Sequence, residues 1–430
     1  MAEAGRGDGT KRLVRPRHAV VLLTLLALVG ANLRTVMLGV PPVLPLLQRD
    51  LDLSHTATGF VISLPVLVMG GMAWASGRLA DRFGGRVTVA AGLLLLAAGA
   101  ALRGIWAAVV PLYLFTGILS LGVAIAQAAL PVLVRQWFPR QIGLASALYT
   151  DGLIVGEAVA AGVTLPLMRV WLGPDAWRAS FVAWSVPVVL MLLLWTVLSP
   201  PTSPTRRRRG RATSTPGATV PPVAAEPRQR VSALQLGLLS GSGSLIYFAM
   251  HTWIPPYDTA LGRGDATALA LGTLNAVQLP VSLALTLVAQ RLLGRRVPFV
   301  LAGCICLVGV IGWVSTPVEW QVLWAALLGG AAVSVLVLGS ALPPLLADRN
   351  EVAGLVGATL SIGYGLAFVG PLAGGWLWDL LGRPAAAFVP VGLGTLGLIV
   401  FGATLPRPPR PLVDPQEGPM GFPLVDLDGR

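Results

Sequence analysis

Twelve apolar runs, each long enough to cross a bilayer, constrain this chain more than any other feature. A spanning helix needs about 20 apolar residues at a rise of about 1.5 Å each. Such runs fall near 18–47, 58–79, 87–107, 109–134, 142–169, 177–198, 234–256, 267–290, 297–315, 320–346, 353–379 and 384–405. Rich in Leu and Ala, they predict helices, because only backbone that satisfies its own hydrogen bonds can cross hydrocarbon. Composition agrees. Hydrophobic residues are 55% of the 430 and charged residues 12%, about half the charged share of a soluble domain. The expected class is an all-α membrane protein. The first run has a basic flank (Lys11, Arg12, Arg15, Arg17) but continues past Pro41-Pro42 to Leu47. That exceeds the roughly 7–15 apolar residues of a signal peptide and predicts a retained span.

The formal charge of +12 resembles a nucleic-acid signal until its placement is read. With the N-terminus in the cytoplasm, 24 of the 31 Lys and Arg residues fall on the cytoplasmic side and 6 outside, leaving Arg34 within a span. This asymmetry predicts a multi-pass protein of the inner (plasma) membrane with both termini cytoplasmic, and no nucleic-acid partner. His18, His55 and His251 stand apart from any metal-ligand spacing, and Cys304 and Cys306 sit inside an apolar run. There is no nucleotide-binding glycine loop ending in Gly-Lys-Ser/Thr. No cofactor, metal or ATP-driven step is expected. Without a cluster of catalytic acids or an activated nucleophile, an enzyme is disfavoured. A receptor would need a folded soluble domain, for which the linker and tail are too short and Pro-rich.

Residues 199–233 break the apolar pattern with Pro200-Pro201 and the run Arg206 to Arg209. They read as a disordered cytoplasmic linker. Its arginines either meet anionic lipid headgroups or only enforce topology. The linker divides a six-helix bundle at 18–198 from another at 234–405, with tails at 1–17 and 406–430. The halves resemble each other. Val40-Pro41-Pro42 returns as Ile254-Pro255-Pro256, Leu64-Pro65-Val66 as Leu279-Pro280-Val281, and Leu130-Pro131 as Leu342-Pro343. Gly143-Leu144 with Ala147 and Gly152 returns as Gly354-Leu355 with Ala358 and Gly363. Four ordered matches at nearly constant offset indicate a duplicated six-span unit. Parallel repeats place a substrate site near the midplane and let the halves rock between two openings. This predicts a secondary transporter, working as a monomer on a small molecule.

The loop Gly77-Arg78-Leu79-Ala80-Asp81-Arg82-Phe83-Gly84-Gly85-Arg86 resembles the signature loop of the major facilitator superfamily, with Gly85 where a basic residue is common. The resemblance implies a conformational latch of Gly77, Asp81, Arg82, Gly84 and Arg86. Further stretches resemble the cyanate and nitroimidazole permease-like family. They are Asn32-Leu33-Arg34, Leu148-Tyr149-Thr150 with Gly152 and Gly156-Glu157, Tyr247-Phe248, Trp253 to Tyr257, Asn275 with Gln278-Leu279-Pro280, and Gly363-Tyr364-Gly365. Members are thought to move small anions or small aromatic heterocycles.

Charges inside hydrocarbon are costly and point to function. Three lie deep here, Arg34, Asp151 and Glu157. Arg34 is about 24 Å and Glu157 about 22 Å along their helices, at similar depth, while Asp151 is about 14 Å in. Arg34 offers a planar fork of donors to an anionic substrate. Alternatively the two neutralise each other as a structural pair. In a mixed reading Glu157 takes a proton when substrate takes the arginine, coupling transport to protons. Asp151 either carries protons too or is simply solvated. The remaining polar candidates for the substrate path are Asn32, Gln127, Tyr149, Tyr247, His251, Asn275, Gln278 and Tyr364, and His251 is expected near the outer end of its span. Gly152-x-x-x-Gly156, Gly237-x-x-x-Gly241 and Gly370-x-x-x-Gly374 allow close helix approach, and Pro65 and Pro280 would kink paired spans. The expected activity is proton-coupled import of a small anionic or weakly acidic solute by alternating access, with efflux of small aromatic or drug-like compounds as the alternative.

Overall fold

A computed structural model describes residues 16–139, 141–173, 175–201, 232–346 and 352–406. Among them every regular element is helical, and twelve stretches are long and apolar enough to cross a membrane. The first is interrupted. Helix α1 (Pro16–Leu38) gives way to a buried 3-10 turn at Pro41–Val43 and then α2 (Leu44–Leu51). Pro41 and Pro42 lack the N–H groups a continuing helix would need. Five spans follow as α3 (His55–Phe83), α4 (Gly85–Leu102), α5 (Val109–Trp137), α6 (Ile142–Leu167) and α7 (Trp177–Leu198). The second set begins with α8 (Ala233–Ala260). Its next span is split into α9 (Thr267–Ala276) and α10 (Gln278–Leu292). Pro280 cannot donate to the carbonyl of Ala276, and α9 ends there. Pro65, its partner in the repeat, lies within unbroken α3. Then come α11 (Val297–Ser315), α12 (Gln321–Ser340) with the short α13 (Leu342–Leu346), α14 (Val352–Leu381) and α15 (Val389–Ala403).

The helices form two groups with separate cores. One core centres on Leu25, Leu26 and Val29 of α1 with Leu93, Leu119 and Leu133. The other centres on Ile246, Trp253 and Ile254 of α8 with Leu271, Trp313 and Leu398. Large apolar side chains such as Trp171, Val197 and Leu287 remain exposed around the outside, as a lipid-facing surface requires. The groups meet along two seams, α3 on α14 and α6 on α9. The end of the bundle carrying Ser199 and Ser232 is here the linker end, and the opposite one the far end. Residues 202–231 and those from 407 onward lie outside the described residues.

The seams are tight at the far end and part toward the linker end. Along α3 and α14, His55 and Thr56 bond to Asp379, a Cβ on Gly59 would press on the Pro371 carbonyl, Ser63 donates to the Phe368 carbonyl at 2.8 Å, and Gly70 faces the Tyr364 ring. Beyond that point Gly71, Gly77, Gly354 and Gly357 have no neighbour within 4 Å of where a Cβ would stand. Likewise α6 packs extensively on α9 but only sparsely on α10.

Candidate substrate site

Close packing of α6 on α1 sets the site. A Cβ at Gly152 or Gly156 would collide with the carbonyl oxygens of Ala27 and Ala31, and one at Gly30 with the Tyr149 carbonyl. Only small residues permit this backbone approach. It carries Glu157, next after Gly156, to Arg34, one turn beyond Ala31. Arg34 Nε stands 3.3 Å from Glu157 Oε1, with the side chains 15% and 8% exposed. The guanidinium makes no hydrogen bond to any described residue, and its Nε is buried without a hydrogen-bond acceptor. The ion pair therefore leaves Arg34's donor fork unspent.

Glu157 also reaches across to the second group. The Tyr247 hydroxyl on α8 donates to Glu157 Oε2 at 2.6 Å and lies 3.1 Å from Asn275 Oδ1. Asn275 Nδ2 donates to the Leu271 carbonyl and approaches His251 Nε2 at 2.9 Å. His251 Nδ1 is 2.7 Å from the Tyr247 carbonyl. A carbonyl can only accept, so Nδ1 carries the proton and Nε2 accepts from Asn275. Gln278 Nε2 closes the network on Asn275 Oδ1 at 3.1 Å, across the α9–α10 break. The carboxylate of one half is thus wired to a tyrosine, histidine and amide pair of the other.

Six of the sequence candidates, Arg34, Glu157, Tyr247, His251, Asn275 and Gln278, converge in this network. His251 is fully buried rather than at a solvated helix end, because its helix runs nine residues further and its ring packs 4.1 Å from the Tyr247 ring. The others stand apart from it. Asn32 bonds to the Leu28 carbonyl of its own helix at 2.9 Å. Gln127 is half-buried with its Oε1 unpartnered among the described residues. Tyr149 packs on the first core, and Tyr364 lies on Gly70 in the α3–α14 seam. Asp151 is half-buried and forms no ion pair among the described residues.

The signature loop lies at the linker end. Gly84 adopts φ +81°, which turns α3 into α4. A Cβ on Gly85 would strike Leu133, so a basic side chain there would displace α5. Arg86 donates to Ser199 Oγ at 3.0 Å and to the Thr196 carbonyl at 2.6 Å, tying α4 to α7 within the first group. Asp81 and Arg82 are exposed, and Asp81 has no ion pair among the described residues. Gly77 borders open space.

Two features escaped sequence reasoning. Arg103 falls at the end of a predicted span and reads as a loop cation, yet it is 1% exposed. Asp379 near the end of α14 caps the first residues of α3. It accepts from His55 N at 3.0 Å, Thr56 N at 2.8 Å and Thr56 Oγ1 at 2.6 Å, and pairs with His55 Nδ1 at 2.7 Å. Only the pairing of α3 with α14 brings it there.

Known proteins share this helical fold. The model of the Major Facilitator Superfamily matches residues 20–368. The chain belongs to that superfamily. An uncharacterised transporter of Bacillus subtilis (strain 168) is 27% identical over 387 residues, covering 89% of this chain and 92% of the relative. The cyanate transport protein of Escherichia coli (strain K12) is 28% identical over 390 residues, covering 88% and 96%. The 2-nitroimidazole transporter of the same strain is 25% identical, covering 90% and 95%. Among solved structures, the inward-open xylose transporter of E. coli aligns with TM-score 0.71 at 13% identity, covering 92% of this chain and 97% of that one. A crystal structure of a D-xylose–proton symporter aligns at 0.72 and 16%, covering 91% and 98%. The chain is therefore a multi-pass membrane transporter of this superfamily, acting on a small molecule.

Proposed function

We propose that this transporter imports a small anionic or weakly acidic solute together with protons, from a midplane site centred on Arg34. The observation that carries this reading is the unspent donor fork of Arg34, held against Glu157 without a hydrogen bond. A guanidinium stays charged and presents five donors in a plane, which suits a small planar or linear anion. An anion that engages Arg34 removes the counter-charge of Glu157, which a proton then replaces. Tyr247 transmits that change across the seam, because its hydroxyl bond to Glu157 joins the two halves. The halves 18–198 and 234–405 are read as the rocking units, with the seam closed at the far end and parted at the linker end. Arginine asymmetry supports a cytoplasmic linker end, so this arrangement is read as inward-facing. The latch residues Gly77, Asp81, Arg82, Gly84 and Arg86 would act when that end closes. Monomeric action in the inner membrane completes the proposal.

Uptake of labelled cyanate and related small anions into proteoliposomes, with and without an inward proton gradient, tests it. Gradient-stimulated uptake supports the proposal. Absence of uptake for every anion under both conditions refutes it. It would favour efflux of small aromatic compounds; the relative named as a 2-nitroimidazole transporter supports the aromatic class of solute.

A further inference from the structure

We propose that Arg103 forms a second anion-binding site, one step beyond Arg34 toward the far end, for a single halide ion. Arg103 ends α4 and is fully buried. Its Nη2 donates to the Val36 carbonyl at 2.7 Å, and its guanidinium lies 4.0 Å from the centre of the Phe181 ring. The helix C-terminus and the ring face offset part of its charge. No carboxylate among the described residues pairs with it, and its Nε is buried without an acceptor. A buried cation lacking a counter-charge is costly, and each buried unsatisfied group asks for a partner.

The same place holds a cavity. Arg103 lines it together with Met37, Pro65, Thr116, Phe248 and His251, so it lies between the two halves. Thr116 Oγ1 is likewise buried with no hydrogen-bond partner. Two orphan polar groups, one cationic and one a hydroxyl able to donate, therefore border one mostly apolar space. That space admits a body about the size of a water molecule. Apolar walls disfavour strongly hydrated ions such as sulfate, whereas a guanidinium, itself weakly hydrated, matches a polarisable monovalent anion. Val36, whose carbonyl Arg103 holds, is two residues past Arg34 on α1. His251 borders the cavity and also belongs to the Asn275 network. Arg103, at the end of α4, thus meets the helix that carries Arg34. The Arg103 site stands on its own geometry and does not require Arg34 to bind substrate.

Crystals of the full-length protein grown in sodium bromide, with anomalous diffraction, provide the direct test. We expect a bromide peak within hydrogen-bond reach of Arg103 and Thr116. Equilibrium binding of radiolabelled bromide to detergent-purified protein provides the second. Wild type should bind two anions, Arg34→Gln one, and Arg103→Met one. Thr116→Val leaves the Val36 and Phe181 contacts of Arg103 in place and should weaken the second site about fivefold. If Arg103→Met alone removes binding and Arg34→Gln does not, this inference stands and the Arg34 reading fails. If no bromide lies beside Arg103 and Thr116→Val binds bromide as wild type does, the inference is overturned and the cavity holds water.

Discussion

The α3–α14 seam behaves differently at its two ends, and the difference shows what sets the state of this transporter. At the far end a carboxylate on one half caps the helix N-terminus of the other. Asp379 takes two backbone N–H groups, a hydroxyl and an imidazole, and the His55 ring stacks on Trp378 at 4.1 Å. The turn at Pro41–Val43 adds a buried plug that touches α8 and α9. At the linker end the same two helices present bare glycines and the unpaired Asp81. One end is held by charge-assisted hydrogen bonds at a positive helix pole, which are among the stronger polar contacts available. At the other, Gly71, Gly77, Gly354 and Gly357 face open space. A modest number of polar contacts at one end can therefore bias a two-state equilibrium without changing the cores.

The largest effect should come from the Arg34–Glu157 pair. Arg34→Gln is expected to reduce uptake to background while the protein still inserts, checked by transport alongside its level in the membrane fraction. If the pair is only structural, neutralising both Arg34 and Glu157 will restore activity that either single change removes. Next, Asp379→Ala should unseat the α3 cap and shift the equilibrium toward an open far end by about tenfold. A Ser63→Cys reporter in a background lacking Cys304 and Cys306 reads this as faster labelling by a membrane-impermeant maleimide. Unchanged labelling would break the comparison between the ends. Gly375→Ala should act in the same direction, because its Cβ would collide with the His55 carbonyl. Gly77→Ala, facing open space, should leave thermal stability in this state within about 0.5 kcal/mol. The smallest effect on this state belongs to Asp81→Asn. It should slow uptake several-fold if the loop latches the linker end on closure, yet leave the melting temperature unchanged, since Asp81 pairs with nothing described here.

Much of this was legible beforehand because membranes simplify the code. Span number follows from hydropathy, and the burial of Arg34 and Glu157 agrees with the cost of charge in hydrocarbon, while Asp151 is only half-buried. The small-residue motif at Gly152 and Gly156 was readable too, and the structure uses it to seat Glu157 against Arg34. Less legible were positions at span ends, where a polar residue is normally solvated. His251 and Arg103 both read as end residues. Each is buried because neighbouring helices extend over it, which hydropathy of its own helix cannot show. The equivalent proline pairs are another case. Pro41-Pro42 breaks the first span after Gly39, whereas Pro255-Pro256 sits inside continuous α8.

By itself the sequence determined the class, an all-helical chain of twelve apolar spans, since that rests on local solvation in lipid. Tertiary structure decided the rest. It chose which end of the seam closes, joined Glu157 to Tyr247 across the halves, and left Arg103 without a carboxylate among the described residues. These are contacts between residues from about 70 to over 300 positions apart, and their energies depend on helix approach and side-chain direction. No local pattern along the chain encodes those.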